Sequence, residues 1–238
     1  MIYYKKLKPI QAITFDLDDT LYENTSVIIN AERSLLEFMH NQYPATKHVA
    51  KNFWRARQKI HLLANPLLKN DMGELRRLSL ESGFMELGLS GNDLKTATTE
   101  CFEHFYFQRS NFVLNRNIHS LLETLSKELP LIALTNGNVN LQQIGLEKYF
   151  SACFKASMEL PMKPHKAMFD AAQAHLKIPH ENILHVGDNL PKDIYGAFRA
   201  GYQTAWYAED RCMQIRSEKA QVLPHVQLSS LTQLLALI

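Results

Sequence analysis

Two aspartates two residues apart, Asp16 and Asp18, are the first candidates for chemistry in this sequence. They follow the apolar run Ala12–Phe15, within the segment Asp16-Leu17-Asp18-Asp19-Thr20. Side chains two apart in extended chain point the same way, about 6.5 Å apart, so both carboxylates face one pocket. Crowded carboxylates repel unless a proton or cation joins them, and Mg²⁺ prefers such hard oxygen ligands. The motif alone also fits an ordinary solvated turn with an Asx cap.

Two later segments carry groups that can hold phosphate oxygens. Thr135-Asn136-Gly137-Asn138 follows the apolar run Leu131–Leu134, and it offers a hydroxyl, an amide and backbone N–H groups at a tight Gly turn. Lys163, just before Pro164, adds a cation that can neutralise phosphate charge. Taken separately, the first segment also fits a strand-to-helix turn with an N-cap, and the lysine also fits a solvated side chain.

A second pair of aspartates follows the apolar run Ile183–Val186, in the segment Gly187-Asp188-Asn189-Leu190-Pro191-Lys192-Asp193. Asp188 stands at the end of that run, where it completes a candidate magnesium site. Asp193 is expected to steady the site without binding the metal itself. The four segments come in order, each near a strand-like run, and together they are far stronger evidence than any one alone.

The elements that must position these side chains are short buried strands alternating with helices. Each apolar run is too short for a helix and is closed by turn residues, which favours strands; Thr204–Tyr207 is one more. Helical spacing recurs over residues 118–129, 168–176 and 194–198, with Pro164 expected in the first turn of the second helix and Gly201 capping the third. This alternation predicts a three-layer α/β core with a largely parallel, Rossmann-like sheet, whose ligands bind at the carboxyl ends of the strands.

A different pattern occupies residues 24–110, where four stretches show helical spacing of apolar residues. These stretches predict an inserted four-helix unit, placed after the first strand. The α/β core domain is then expected over residues 1–23 and 111–238.

Composition excludes several classes of function. The 238 residues are 46% hydrophobic and 21% charged, with a formal net charge of +2, which does not suggest nucleic acid or a membrane surface as a partner. Three scattered cysteines without Cys-x-x-Cys spacing favour neither a disulfide framework nor zinc, and they fit a reducing cytoplasm. The sequence indicates no obligate protein partner and leaves a small molecule as the expected substrate.

The ordered segments Asp16–Thr20, Thr135–Gly137, Lys163-Pro164 and Gly187–Asp193 resemble the signatures of the haloacid dehalogenase-like hydrolases. The resemblance spans essentially the whole chain, including a helical cap inserted after the first motif (the C1 type). Within that family, the chain is similar to bacterial phosphatases of flavin mononucleotide and of 5-amino-6-(5-phospho-D-ribitylamino)uracil. The resemblance therefore implies a Mg²⁺-dependent phosphatase of riboflavin metabolism.

The resemblance also implies roles for single residues. Asp16 is the nucleophile that becomes an aspartyl-phosphate, and Asp18 is the acid that protonates the leaving group and then activates water. The Asp16 side chain, the Asp18 main-chain carbonyl and Asp188 would hold Mg²⁺. Asp193 matches the second acidic position of the fourth motif, and its direct metal role stays open. The phosphate-binding residues it implies are Thr135, Asn136 and Lys163.

Other functions remain open at this point. They are a sugar-phosphate or nucleotide phosphatase, a phosphomutase, a 2-haloacid dehalogenase and, outside enzymes, a receiver-like Mg²⁺-binding signalling domain. A dehalogenase needs neither a general acid nor Mg²⁺, so Asp18 and Asp188 argue against it. A receiver domain is about half this length. Two further residues are expected to be structural: Asp19 as a local hydrogen-bonding partner in a turn, and His185 as a packed histidine.

Overall fold

The computed structural model describes residues 1–50 and 52–238, which divide into two compact units. The α/β unit comprises Met1–Asn24, Val113–Gly137 and Ile144–Ile238. The helical unit comprises Thr25–Phe112 and Asn138–Gln143. The short second segment of the helical unit has no helical spacing, and the sequence prediction had placed it in the α/β core.

The α/β unit is built on a sheet in which the described residues form strands in the order β1-β7-β6-β5-β2-β3-β4. Only β1 runs antiparallel to its neighbour β7, and the other neighbouring pairs are parallel. The predicted α/β class with a largely parallel sheet is therefore confirmed. The strands are β1 (Ile2–Tyr3), β2 (Ala12–Phe15), β3 (Leu131–Thr135), β4 (Ala152–Lys155), β5 (Ile183–Gly187), β6 (Gln203–Trp206) and β7 (Val226–Gln227).

The four strands found from the sequence are those in the middle of the sheet, β2, β3, β5 and β6. Every residue in them is buried, because both faces of a parallel sheet are covered and both sets of side chains must then be apolar or hydrogen-bonded. The sequence did not indicate β1, β4 or β7. Two of these are two-residue pairings, and β4 is a half-buried edge strand without a continuous apolar run.

The described residues of the helical unit form four long helices that share one apolar core. Side chains at three-four spacing meet there, with Leu35 from the first helix, Phe84 from the third and Phe105 from the fourth all nearly inaccessible to solvent. The Asp71 side chain accepts a bond from the Glu74 N–H and so caps the third helix. The helices are α1 (Thr25–Gln42), α2 (Phe53–Ala64), α3 (Met72–Glu86) and α4 (Gly91–Gln108), with short 3₁₀ helices at Pro44–His48 and Pro66–Asn70.

The α/β unit adds three α-helices and several short turns of helix. The predicted place of Pro164 in the first turn of a helix is wrong, because α6 (Ala167–Leu176) begins three residues later and Lys163-Pro164 lies in the preceding loop as a cis peptide. Gly201 follows α7 (Gly196–Arg199) with a positive φ of 86°, as expected of a residue that ends a helix. The elements are α5 (Arg116–Glu128), α6 (Ala167–Leu176), a π-helical turn (Leu190–Tyr195), α7 (Gly196–Arg199), and 3₁₀ turns Glu147–Tyr149, His180–Asn182, Ile215–Ser217 and Leu231–Ala236.

Within the described parts of the chain, no helix has both the length and the apolar character that crossing a bilayer requires.

Candidate active site

Three neighbouring strands deliver the candidate residues to one edge of the sheet. β2 lies between β5 and β3 and is parallel to both, with Phe15 level with Val186 on one side and Ala133 on the other. The carboxyl ends of the three strands therefore meet, and each is followed at once by polar residues. Asp16 follows β2, Thr135 ends β3, and Asp188 follows β5.

The ammonium group of Lys163 lies at the centre of this edge. Its Nζ is 2.5 Å from Asp16 Oδ1 and 2.7 Å from Asp193 Oδ1, and it donates to the Leu134 carbonyl at 2.6 Å. Lys163 and Asp193 are each only 1% exposed, and Asp16 is 7% exposed, so all three charged groups are buried. Removing the ammonium would leave two carboxylates and a carbonyl without that partner in a buried site.

Charges in this cluster shift each other's pKa values. Burial raises the pKa of Asp16 well above its usual value, and the nearby carboxylates of Asp193 and Asp188 add to burial, whereas Lys163 opposes it. Burial would lower the pKa of Lys163, but its pairing with Asp16 and Asp193 outweighs burial and raises that pKa. Burial likewise tends to raise the pKa of Asp193, but Lys163 and His185 outweigh it and hold that pKa below its usual range.

Asn136 fixes the position of the lysine. Its side-chain oxygen accepts from the Lys163 N–H at 2.8 Å, and its side-chain NH₂ donates to the Lys163 carbonyl at 3.0 Å. The side chain is thereby occupied in clamping the lysine loop. Contact of Asn136 with phosphate is then left to its main chain. Thr135, the other predicted phosphate-binding residue of this strand end, is fully buried and its hydroxyl accepts from the Gly137 N–H at 2.9 Å.

Asp188 is held by residues that lie outside the sequence motifs. Its carbonyl accepts from the Trp206 indole at 2.7 Å and from the Arg211 guanidinium at 2.9 Å, and its carboxylate accepts from Arg211 at 3.1 Å. Burial raises the pKa of Asp188 to about 7, with Asp193 adding to the shift and Arg211 opposing it. Sequence reasoning missed Arg211, because a single arginine after the last central strand shows no local pattern.

Asp193 is more closely integrated into the acidic cluster than the sequence suggested. Its Oδ2 accepts from the Asn189 N–H at 3.0 Å, and its Oδ1 lies 3.4 Å from His185 Nε2. A Cβ on Gly187 would lie 2.4 Å from the Asp193 Cβ, so only glycine allows this close approach. His185 is fully buried, as predicted, and it also joins Asp193 to the Thr14 hydroxyl, 2.8 Å away.

The acidic cluster fits a small divalent cation. Ligand oxygens of Asp16, Asp188 and Asp193 lie within 4.8 Å of one another, and all three residues are buried. All three are hard oxygen donors, which suit Mg²⁺ rather than softer metals. Three carboxylates beside one lysine leave negative charge that a cation would offset. The Asp18 carboxylate is not part of this group, and its predicted contribution was through the main-chain carbonyl.

The Asp18 carboxylate is held between two neighbours. The Tyr22 hydroxyl donates to its Oδ1 at 2.5 Å, and its Oδ2 lies against Gly137, where an added Cβ would come within 2.4 Å. The adjacent Asp19 has a positive φ of 62°, and its carboxylate accepts from the Asn24 N–H at 2.8 Å. The prediction that Asp19 serves as a hydrogen-bonding residue in a turn is therefore confirmed.

Gly137→Ala is expected to lower turnover at least about tenfold with little loss of stability, because the new methyl group would push the Asp18 carboxylate out of place. Steady-state kinetics and thermal melts of the purified variant would measure the two effects. Gly73→Ala serves as the matched control, since an added Cβ there meets its nearest neighbour at an ordinary 3.4 Å. Equal activity of the two variants would contradict the claim that turnover depends on the placement of the Asp18 carboxylate.

The chain matches a known protein family and is similar to two phosphatases along nearly its whole length. Residues 10–201 match the family model described as haloacid dehalogenase-like hydrolase. Over 239 aligned residues the chain is 35% identical to the 5-amino-6-(5-phospho-D-ribitylamino)uracil phosphatase YigB of Escherichia coli strain K12, covering 100% of both chains. It is 24% identical to the human N-acylneuraminate-9-phosphatase, covering 98% of this chain and 95% of that one.

A solved structure is similar over nearly the same length. The 2-haloacid dehalogenase from Pseudomonas syringae pv. Tomato DC3000 superposes with a TM-score of 0.89 at 29% sequence identity, covering 96% of this chain and 97% of that one.

Proposed function

We propose that this chain, which belongs to the haloacid dehalogenase-like hydrolase family as its motifs indicated, is a Mg²⁺-dependent phosphatase of small phosphomonoesters that works through an aspartyl-phosphate. The observation that carries the proposal is the buried pairing of Lys163 with Asp16. The carboxylates of Asp188 and Asp193 lie beside this pair, and Asp18 follows Asp16 two positions later in the chain. The similarity to a curated phosphatase along the full chain supports it.

In the proposed reaction, a carboxylate oxygen of Asp16 attacks phosphorus in line, and the bond from phosphorus to the ester oxygen breaks. Asp18 gives its proton to the departing alkoxide and later takes one from the water that hydrolyses the aspartyl-phosphate. Lys163 lies 2.5 Å from Asp16, so its charge stands beside the phosphoryl group during both transfers. Thr135 and the main chain of Asn136 are the proposed donors to the other phosphoryl oxygens.

The metal would be held by the side chains of Asp16 and Asp188 and by the main-chain carbonyl of Asp18. Bound there, Mg²⁺ would supply positive charge that allows a dianionic phosphate to approach two carboxylates. Asp193 is proposed to orient the Asp16 carboxylate through Lys163, which is paired with Asp193 at 2.7 Å and with Asp16 at 2.5 Å.

As substrate we propose 5-amino-6-(5-phospho-D-ribitylamino)uracil or flavin mononucleotide, on the strength of the similarity to the curated phosphatase of the former. We also propose that the helical unit is the cap that selects the leaving group, because the chain enters it directly after the Asp16–Thr20 motif. The cytoplasm remains the predicted location.

A substrate panel tests the function. Inorganic phosphate release from ribitylaminouracil phosphate, flavin mononucleotide, sugar phosphates and nucleotides would be measured with Mg²⁺ and with excess EDTA. We expect the two ribityl phosphates to give the highest kcat/KM, and EDTA to lower the rate at least about 100-fold, reversibly on adding Mg²⁺. Unchanged rates in EDTA would contradict the metal site, and no phosphate release from any ester would contradict the phosphatase.

A 2-haloacid dehalogenase is the second candidate, because the solved structure with a TM-score of 0.89 bears that description. Displacement of halide by a carboxylate needs no acid for the leaving group and no metal. In a dehalogenase, Asp18 would therefore have no proton to donate and Asp188 no metal to bind. Halide release from 2-chloropropionate in EDTA, with no phosphatase activity, would favour this candidate over ours.

A further inference from the structure

Tyr22 is a residue to which the sequence motifs assign no chemistry, yet its hydroxyl donates to Asp18 Oδ1 at only 2.5 Å. We propose that Tyr22 is a positioning residue for the general acid: it holds one oxygen of Asp18 and so directs the acidic proton to the other. The inference rests on the proposed phosphatase function, in which Asp18 protonates the leaving group.

The backbone brings Tyr22 back over Asp18 by a tight turn. The N–H groups of Thr20 and Leu21 both donate to the Leu17 carbonyl, at 3.3 and 2.9 Å, which reverses the chain directly after the motif. The Asp19 N–H then donates to the Tyr22 carbonyl at 2.8 Å, and Asp18 and Tyr22 form a bridge. Tyr22 is only 7% exposed, so its ring is held in place by packing as well as by hydrogen bonds.

The two oxygens of Asp18 therefore have different surroundings. Oδ1 accepts from the Tyr22 hydroxyl, and an oxygen that already accepts a short hydrogen bond is a poor place for a second proton. Oδ2 lies against Gly137, and the Thr135 hydroxyl lies near the same point, 3.4 Å from where a Cβ on Gly137 would be. Both Gly137 and Thr135 belong to the strand end proposed to bind phosphate, so Oδ2 is the oxygen that would carry the proton.

The proton can be followed through both steps. As the Asp16 oxygen bonds to phosphorus and the ester P–O bond breaks, the proton on Asp18 Oδ2 moves to the departing oxygen. In the second step a water proton returns to Oδ2 as the water oxygen bonds to phosphorus and the Asp16–phosphate bond breaks. The Tyr22 hydroxyl keeps its own proton throughout. Its contribution is the orientation of the carboxyl group.

Leaving-group dependence distinguishes this role from a merely structural one. We would measure kcat/KM of wild type and Tyr22→Phe for p-nitrophenyl, phenyl and benzyl phosphate, whose leaving groups become steadily more basic and more dependent on an acid. We expect Tyr22→Phe to lower kcat/KM for benzyl phosphate by roughly 10- to 100-fold and that for p-nitrophenyl phosphate by less than about threefold. The ratio between esters does not depend on how much of the variant is folded.

Two controls accompany the series. Tyr4→Phe removes a hydroxyl that bonds Gln227 at the edge of the sheet and should leave all three values unchanged. In an Asp18→Ala background, Tyr22→Phe should add no further leaving-group effect, because the acid it positions is already gone. An equal loss on all three esters, no loss at all, or a full additional effect in the Asp18→Ala background would overturn the proposal. Failure of wild type on every ester would instead contradict the phosphatase function, and the role of Tyr22 would fall with it.

Discussion

Asp16→Asn is expected to abolish turnover, with a loss of at least about 1,000-fold, while the protein stays folded. An amide oxygen is a far weaker nucleophile than a carboxylate. Asp16 directly follows the central strand β2, and its carboxylate is paired with Lys163. Phosphate release by the purified variant, under the conditions found best for wild type, measures the effect.

Although Asp16→Asn should abolish turnover, it should not lower the stability of the protein at neutral pH. The raised pKa of Asp16 means that the folded protein holds the Asp16 proton more tightly than the unfolded chain does, so ionised Asp16 disfavours the fold as pH rises. Asn at this position removes that charge, and we expect the free energy of unfolding to be equal or higher at pH 7, with the difference closing as pH falls. Asp170→Asn, at a half-exposed aspartate, is the matched control for both measurements. An active Asp16→Asn protein would end the proposed mechanism.

Lys163→Met is expected to damage both activity and stability. The methionine fills similar space but leaves Asp16 and Asp193 buried without their shared cation, and it leaves the Leu134 carbonyl without this donor. Losing one partner of a buried ion pair costs about 3–5 kcal/mol, and losing the charge beside the phosphoryl group should lower kcat/KM by roughly 100-fold or more. Urea unfolding and steady-state kinetics would measure the two losses.

The stability deficit of Lys163→Met should depend on pH. The pKa of Asp193 is depressed, so its pairing with Lys163 contributes stability above about pH 4, the value for an unfolded Asp, and loses it as pH falls through the lower folded pKa. The raised pKa of Lys163 keeps the contribution intact up to about pH 10. Without the lysine, the buried carboxylates take up protons more readily, and the deficit should narrow between about pH 7 and pH 4.

Lys166→Met is the matched control, because Lys166 pairs with Asp170 on the surface at 3.1 Å. Such exposed pairs contribute about 0–1 kcal/mol. If the two lysine variants had equal unfolding free energies at pH 7, the buried cluster around Lys163 would not be the stabilising feature that its geometry indicates.

The sequence was informative where local patterns determine structure. Apolar runs closed by turn residues identified the central strands β2, β3 and β5, because strands covered on both faces consist mostly of apolar residues, with buried polar ones such as Thr14 and His185 hydrogen-bonded. The same runs located the strand ends, and therefore Asp16, Thr135 and Asp188. The edge strand β4 was not predicted, since a half-buried edge strand does not require a continuous run of apolar residues.

Contacts between distant segments were beyond such patterns. Lys163 and Asp16 are separated by 147 residues, and their pairing with Asp193 follows from how the loop before α6 packs, which Asn136 helps to fix. Arg211 holds Asp188 across 23 residues, from a segment with no recognisable motif. The Tyr22 hydroxyl bond to Asp18 depends on a turn whose geometry cannot be inferred from composition.

Trapping the phosphorylated protein tests the central claim, covalent catalysis by Asp16, most directly. Asp18→Ala should slow hydrolysis of the intermediate, so the variant would be mixed with substrate and Mg²⁺, quenched in acid and analysed by peptide mass spectrometry. We predict a phosphoryl group on the peptide that contains Asp16, labile to hydroxylamine as an acyl phosphate is, and absent when Asp16 is replaced by Asn. Phosphate release from an active protein that never carries such a group, or a group located on another residue, would contradict the mechanism.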